Sequence, residues 1–99
     1  MRVQLKTIDK SIVAAITAEP VSPAQIITSF CRIKAKIANT AKILIGDSSG
    51  QNYELAPGAE LPLDSIFAKS GIEEVDLRSI YIKASVNGEG ATIIYSIKA

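Results

Sequence analysis

The sequence predicts an all-β fold: an antiparallel β-sandwich, jelly-roll-like, with seven or eight strands and at most one short helical turn, in a single domain over residues 1–99. Three observations predict it. Apolar and polar residues alternate with a period of two in the two clearest stretches, 31–37 and 80–86. Read as a helix, the first of these would mix its lysines with its isoleucines. Short apolar runs are also punctuated by turn residues along the whole chain, most sharply at Pro57-Gly58 and Asn87-Gly88.

The elements follow in order. Val3, Leu5 and Ile8 mark a first strand and residues 12–16 a second, separated near Asp9-Lys10. The uniformly small run Val13-Ala14-Ala15 suits a strand covered on both faces. Pro20 and Pro23 bracket a connection, because proline lacks the amide donor that a ladder needs. Residues 26–38 form the longest predicted strand, with Cys31, Ile33, Ala35 and Ile37 inward and Phe30, Arg32, Lys34 and Lys36 on the other face. Asn39-Thr40 then turns the chain, and residues 41–45 return as the hairpin partner.

Residues 46–52 read as a polar loop and 53–55 as a short extended piece. Pro57 and Gly58 fit the second and third positions of a type II turn, ahead of a strand over 60–63. Asp64 caps a single helical turn reaching Lys69, with Phe67 inward and Gly71 as terminator. A strand over 77–86 and a final one over 91–97 are joined by Asn87-Gly88 as a tight hairpin, with Ile93, Tyr95 and Ile97 sharing a face.

Composition narrows the function. Hydrophobic residues make up 47% and charged residues 21%, with a mean hydropathy of +0.25. A domain this small buries roughly two-thirds of its unfolded surface. The apolar surplus therefore means either an unusually rich core, since Ala and Ile suit tightly packed strands, or, as the reading placed first, surface covered by a partner. The formal charge of +1 gives no field to steer the chain toward nucleic acid or an anionic membrane, and neither is expected as a partner. Arg32, Lys34 and Lys36 fall at alternate positions, as on the solvated face of a strand. No apolar run approaches the roughly 18 to 20 residues of a bilayer span. Gln4, Lys6, Asp9 and Lys10 interrupt any signal-peptide core, which leads to the expectation of a protein made in the cytoplasm without an export signal. The single cysteine, Cys31, excludes an internal disulfide and reads as a small core residue.

The residues of common catalytic sites are missing or misplaced. The chain has no histidine, which removes the usual neutral-pH base, the commonest metal ligand and any Ser-His-Asp arrangement within one chain. Zinc would need carboxylates alone or a neighbouring subunit. Gly46-Asp47-Ser48-Ser49-Gly50 lacks the Lys-Ser/Thr ending of a phosphate loop and reads as a hairpin loop. Glu73, Glu74 and Asp76 offer hard oxygen ligands of the kind calcium takes, but their spacing matches no EF-hand and suits a solvated turn. Asp47, Glu54, Glu60 and Asp64 lie near turns that fix no facing pair for glycoside hydrolysis. No catalytic residue, metal or cofactor is therefore expected.

Four pieces of the second half occur in a telling order: Ile43-Leu44-Ile45-Gly46-Asp47-Ser48, Leu55-Ala56-Pro57-Gly58-Ala59-Glu60, Val75-Asp76-Leu77-Arg78-Ser79-Ile80-Tyr81-Ile82, and Thr92-Ile93-Ile94-Tyr95-Ser96. Over residues 26–97 this order resembles a group of small virion accessory proteins of tailed bacteriophages, of capsid cement or decoration, head-fibre or tail-accessory type. Two departures stand out. Ala59 displaces the glutamate that follows the Pro-Gly turn in that group, and the connection over 65–74 is longer.

The resemblance implies a non-enzymatic structural virion protein, assembled in the host cytoplasm as a homo-oligomer, with a trimer favoured. On the same resemblance it is expected to bind the major capsid protein or other virion proteins, most directly as a decoration or cement protein bridging capsid subunits. The residues expected at the partner contact are Ile12, Val13, Ala15, Phe67, Ile72 and Tyr81. The alternative expectation is a head- or tail-fibre module binding host-surface carbohydrate through Asp47, Ser48, Tyr53 and Asn87, against which the absence of tryptophan weighs.

Overall fold

A computed structural model of the chain describes residues 3–13, 17–63 and 74–98. Among the described residues ten strands run in chain order: β1 (Val3–Ser11), β2 (Glu19–Pro20), β3 (Ile27–Thr28), β4 (Cys31–Ala35), β5 (Ile43–Asp47), β6 (Gly50–Leu55), β7 (Glu60–Pro62), β8 (Val75–Asp76), β9 (Tyr81–Ala84) and β10 (Gly90–Lys98). A 3₁₀ turn, Leu77–Ser79, leads into β9.

Eight of these strands build two four-stranded sheets, ordered β1-β10-β4-β7 and β2-β9-β5-β6, and β3 pairs with β8 alone. All these pairings are antiparallel. The pairings nest. β5 with β6 is the innermost hairpin, enclosed in turn by β4 with β7, β3 with β8, β2 with β9, and β1 with β10. The chain is thus one long two-stranded ribbon that wraps until β10 meets β4 and β9 meets β5. That winding is the jelly roll.

Alternation builds the core. Cys31, Ile33 and Ala35 of β4, Ala91, Ile93 and Tyr95 of β10, and Leu61 of β7 are buried in the first sheet. Ile43 and Ile45 of β5, Leu55 of β6, and Ile82 and Ala84 of β9 are their counterparts in the second. All belong to one apolar cluster, to which Ile12, Val21, Leu77 and Ile80 are added from the connections. Each fully buried Ile or Leu contributes about 1.5–3 kcal/mol relative to an exposed one.

Several expectations hold. Ile93, Tyr95 and Ile97 share the inner side of β10, with Ile97 only partly covered. Gly58 has φ +80°, and the Ala59 amide donates to the Ala56 carbonyl at 2.9 Å, which closes the Pro57-Gly58 turn.

Others are corrected. The expected break near Asp9-Lys10 is absent, because β1 runs through it and each charge finds a partner. Asp9 meets Lys36 at 2.6 Å and Lys10 meets Glu19 at 2.7 Å. Leu5 of β1 lies exposed. Of the second strand expected over 12–16, Ile12 and Val13 lie outside any strand and 14–16 lie outside the described residues.

The strand expected over 26–38 breaks at Ser29-Phe30. There the Thr28 hydroxyl accepts the amides of Phe30 and Ser96, both at 3.2 Å, in place of a regular ladder. Its far end also stops early: β4 ends at Ala35, so Ile37 escapes the alternation and stands in solvent.

Residues 41–45 are not the hairpin partner of β4. The apolar rows of β4 and β5 face each other across the core, so the connection crosses between sheets. Asn87-Gly88 does turn the chain, with the Glu89 amide donating to the Val86 carbonyl at 3.3 Å. It too carries the chain from one sheet to the other rather than closing a hairpin. The strand expected over 77–86 begins only at Tyr81, because Asp76 accepts the Arg78 amide and caps the 3₁₀ turn. The helical turn expected over 64–69 lies outside the described residues.

Candidate interaction surface

The start of the β1–β2 connection, Ile12-Val13, and the connections β4–β5, β6–β7 and β9–β10 gather at one end of the sandwich, where hydrogen bonds join them in series. Ile12 and the β9–β10 turn bond both ways: the Ile12 amide donates to the Glu89 carbonyl and the Gly88 amide to the Ile12 carbonyl, at 2.9 and 2.8 Å. The Asn39 side chain brackets Gly90, donating to its carbonyl at 2.8 Å and accepting its amide at 3.2 Å. The Glu89 carboxylate accepts the Thr40 amide, the Thr40 hydroxyl and the Ala41 amide. The Gly58 amide donates to the Ala35 carbonyl at 3.1 Å, which ties in the fourth connection.

Among the described residues, three apolar side chains project from this end. Val13 is 81% exposed, Ile37 77% and Val86 39%. A groove of about 320 Å³, lined by Lys34, Ala35, Lys36, Ile37, Ala38 and Thr92, runs beside Ile37. Two nearby cations are paired, Lys36 with Asp9 at 2.6 Å and Lys42 with Glu54 at 3.4 Å, while the exposed Lys34 lines the groove. Glu89 is held below the usual carboxylate range, first by the Thr40 amide, then by the Thr40 hydroxyl, and also by the Ala41 amide, against the opposing effect of burial. The end thus offers apolar area on loops joined by hydrogen bonds, an arrangement suited to contact by burial.

The expected contact residues separate here. Ile12 is fully buried in the core and cannot face a partner, whereas its neighbour Val13 stands free. Tyr81 is half-buried on the outer side of β9, in register with Gly46 and Pro20. Ala15, Phe67 and Ile72 lie outside the described residues.

The carbohydrate residues are not brought together. Asp47 and Ser48 form the β5–β6 turn, Tyr53 is exposed on edge strand β6, and Asn87 belongs to the β9–β10 turn. Since Ala84 pairs with Ile43, Asn87 lies beyond the start of β5, while Asp47 closes it roughly 13 Å away along the strand. Asp47 is already occupied as well. One of its oxygens accepts the Ser49 hydroxyl and the amides of Ser49 and Gly50. These contacts, the Ser49 hydroxyl first, hold the Asp47 carboxyl below its ordinary range.

Of the acidic cluster, Glu73 lies outside the described residues and Glu74 is exposed. Asp76 is engaged by the amides of Ile26 and Arg78, at 3.2 and 2.9 Å. Cys31 is a fully buried thiol in β4. Among the described residues, no helix is long and apolar enough to cross a membrane.

Sequence reasoning missed Ile37, Asn39 and Glu89. The only sequence signal for them was the pair of polar turns at 39–40 and 87–90, which locates the turns but not their mutual contact. Comparisons with family models, with curated proteins and with solved structures find no match to this chain. The class defined by fold and surface is a small jelly-roll module with a preorganised apolar end.

Proposed function

We propose that this chain is a non-catalytic structural protein of a bacteriophage virion, a decoration or cement protein that acts as an oligomer and bridges capsid subunits. One observation carries the reading: Val13 and Ile37 stand 81% and 77% exposed on loops that hydrogen bonds already hold in place. Loops ordered before binding lose little further entropy on contact, so more of the apolar burial remains as affinity. The jelly-roll order supports a structural subunit, since capsid and lectin domains recur on this architecture. The ordered motifs over residues 26–97 support the virion setting.

The mechanism is interface burial. A standard interface removes about 1,200–2,000 Å² from water, and symmetric repetition on a shell multiplies modest contacts through avidity. Light scattering across a concentration series is expected to give a stable oligomer, a trimer first. A monomer at every concentration overturns the oligomeric mechanism.

A further inference from the structure

We infer that Glu89 is an acid-sensitive latch that holds the β4–β5 loop against the β9–β10 turn and so fixes the relative position of Ile37 and Val86. The Glu89 side chain is buried, and its carboxylate accepts three hydrogen bonds, from the Thr40 amide at 2.5 Å, the Thr40 hydroxyl at 2.7 Å and the Ala41 amide at 3.2 Å. All three donors are neutral. The charged groups on the surrounding elements are committed elsewhere: Lys10 to Glu19, Lys36 to Asp9 and Lys42 to Glu54, while Lys83 occupies the outward row of β9 beside Leu44.

The ionised carboxylate is acceptor-only and matches three donors. Protonation removes the negative charge that strengthens all three bonds and places an O–H donor on an oxygen that faces other donors, which weakens the grip. Beside the latch, Asn39 holds Gly90 through two hydrogen bonds that contain no titrating atom. The loop therefore has a grip at Thr40-Ala41 that depends on pH and a hinge at Asn39 that does not. Acid opens the grip and leaves the hinge closed. Because the donors depress the Glu89 carboxyl, the grip is complete above the ordinary carboxylate value of about 4.3 and is lost as pH falls through the lower folded-state value.

Residue-resolved amide hydrogen exchange by NMR, expressed as protection factors between about pH 6.5 and pH 3, tests the latch. Protection of Thr40 and Ala41 is expected to fall about tenfold or more as the Glu89 carboxyl titrates, while Gly90 and Ile93 keep theirs. Glu89→Gln is expected to show the low protection at both pH values. Unchanged protection at Thr40 and Ala41 overturns the latch, as does a loss that coincides with Gly90 and Ile93. If Glu89→Gln does not fold, the wild-type series decides: the Thr40 amide proton shift must share its midpoint with the Glu89 carboxyl, and a different midpoint rejects the inference.

Discussion

Gly90 illustrates how single atoms set this fold. A Cβ placed there would lie 1.9 Å from the Lys10 carbonyl oxygen, so β1 and β10 approach too closely for any side chain at this point. Gly90→Ala is predicted to force the strand ends apart and destabilise the domain by about 1–3 kcal/mol, visible as a lower denaturation midpoint. A wild-type midpoint would contradict the close approach. Ile33 and Ile37 make a sharper pair, because the sequence assigns both to one face. Ile33→Ala is predicted to lose about 2–5 kcal/mol, and Ile37→Ala to change the stability of the unassociated domain by less than about 0.5 kcal/mol, both read by urea unfolding at concentrations too low for assembly. The alternation is legible as far as the ladder runs, but a period of two contains no mark for its last paired residue. The same blindness placed Ile12 on the partner surface, although it plugs the core just past the end of β1.

Elements divide according to how local their causes are. The Pro57-Gly58 turn was legible because its demand, a positive φ at one position, is settled within four residues. Asn39-Thr40 and Asn87-Gly88 were legible as turns but not as crossings. Which sheet follows a turn depends on which apolar rows meet across the core, and those rows come from strands far apart in sequence. The break between β3 and β4 depends on Ser96, distant in the chain, whose amide donates to the Thr28 hydroxyl. Thr28→Val removes that acceptor and is predicted to cost about 1–3 kcal/mol, with faster exchange of the Phe30 and Ser96 amides. Unaltered exchange at both amides would show that the hydroxyl does not hold the break. The candidate surface was half-legible for the same reason. Val13 could be named from its apolar run, but its association with Ile37 rests on the bonds joining Ile12, Glu89, Gly90 and Asn39.

At the scale of the whole molecule, an all-β chain of jelly-roll type was legible, and the nesting of five strand pairs accounts for it. Charge acts across this scale too. Glu19 is held low by its hydrogen bond from Lys10, Asp47 by the Ser49 hydroxyl, Asp76 by the Arg78 amide and Glu89 by the Thr40 amide. Each depressed carboxyl contributes stability that is complete above the ordinary carboxylate range of about 4 and is lost as pH falls through the folded-state value. Scanning calorimetry is therefore predicted to give a Tm that is steady near neutrality and declines below about pH 4. A Tm that rises on acidification would contradict these assignments.

The central claim, that the apolar end is where the protein associates, is tested most directly by the oligomeric mass of the double variant Val13→Asp, Ile37→Asp beside the wild type. Both side chains stand in solvent, so the fold is expected to survive the change. The account predicts an oligomer for the wild type and, for the variant, a folded monomer whose Tm no longer depends on concentration. A variant that retains the wild-type oligomer would contradict the claim and place the interface elsewhere on the sandwich.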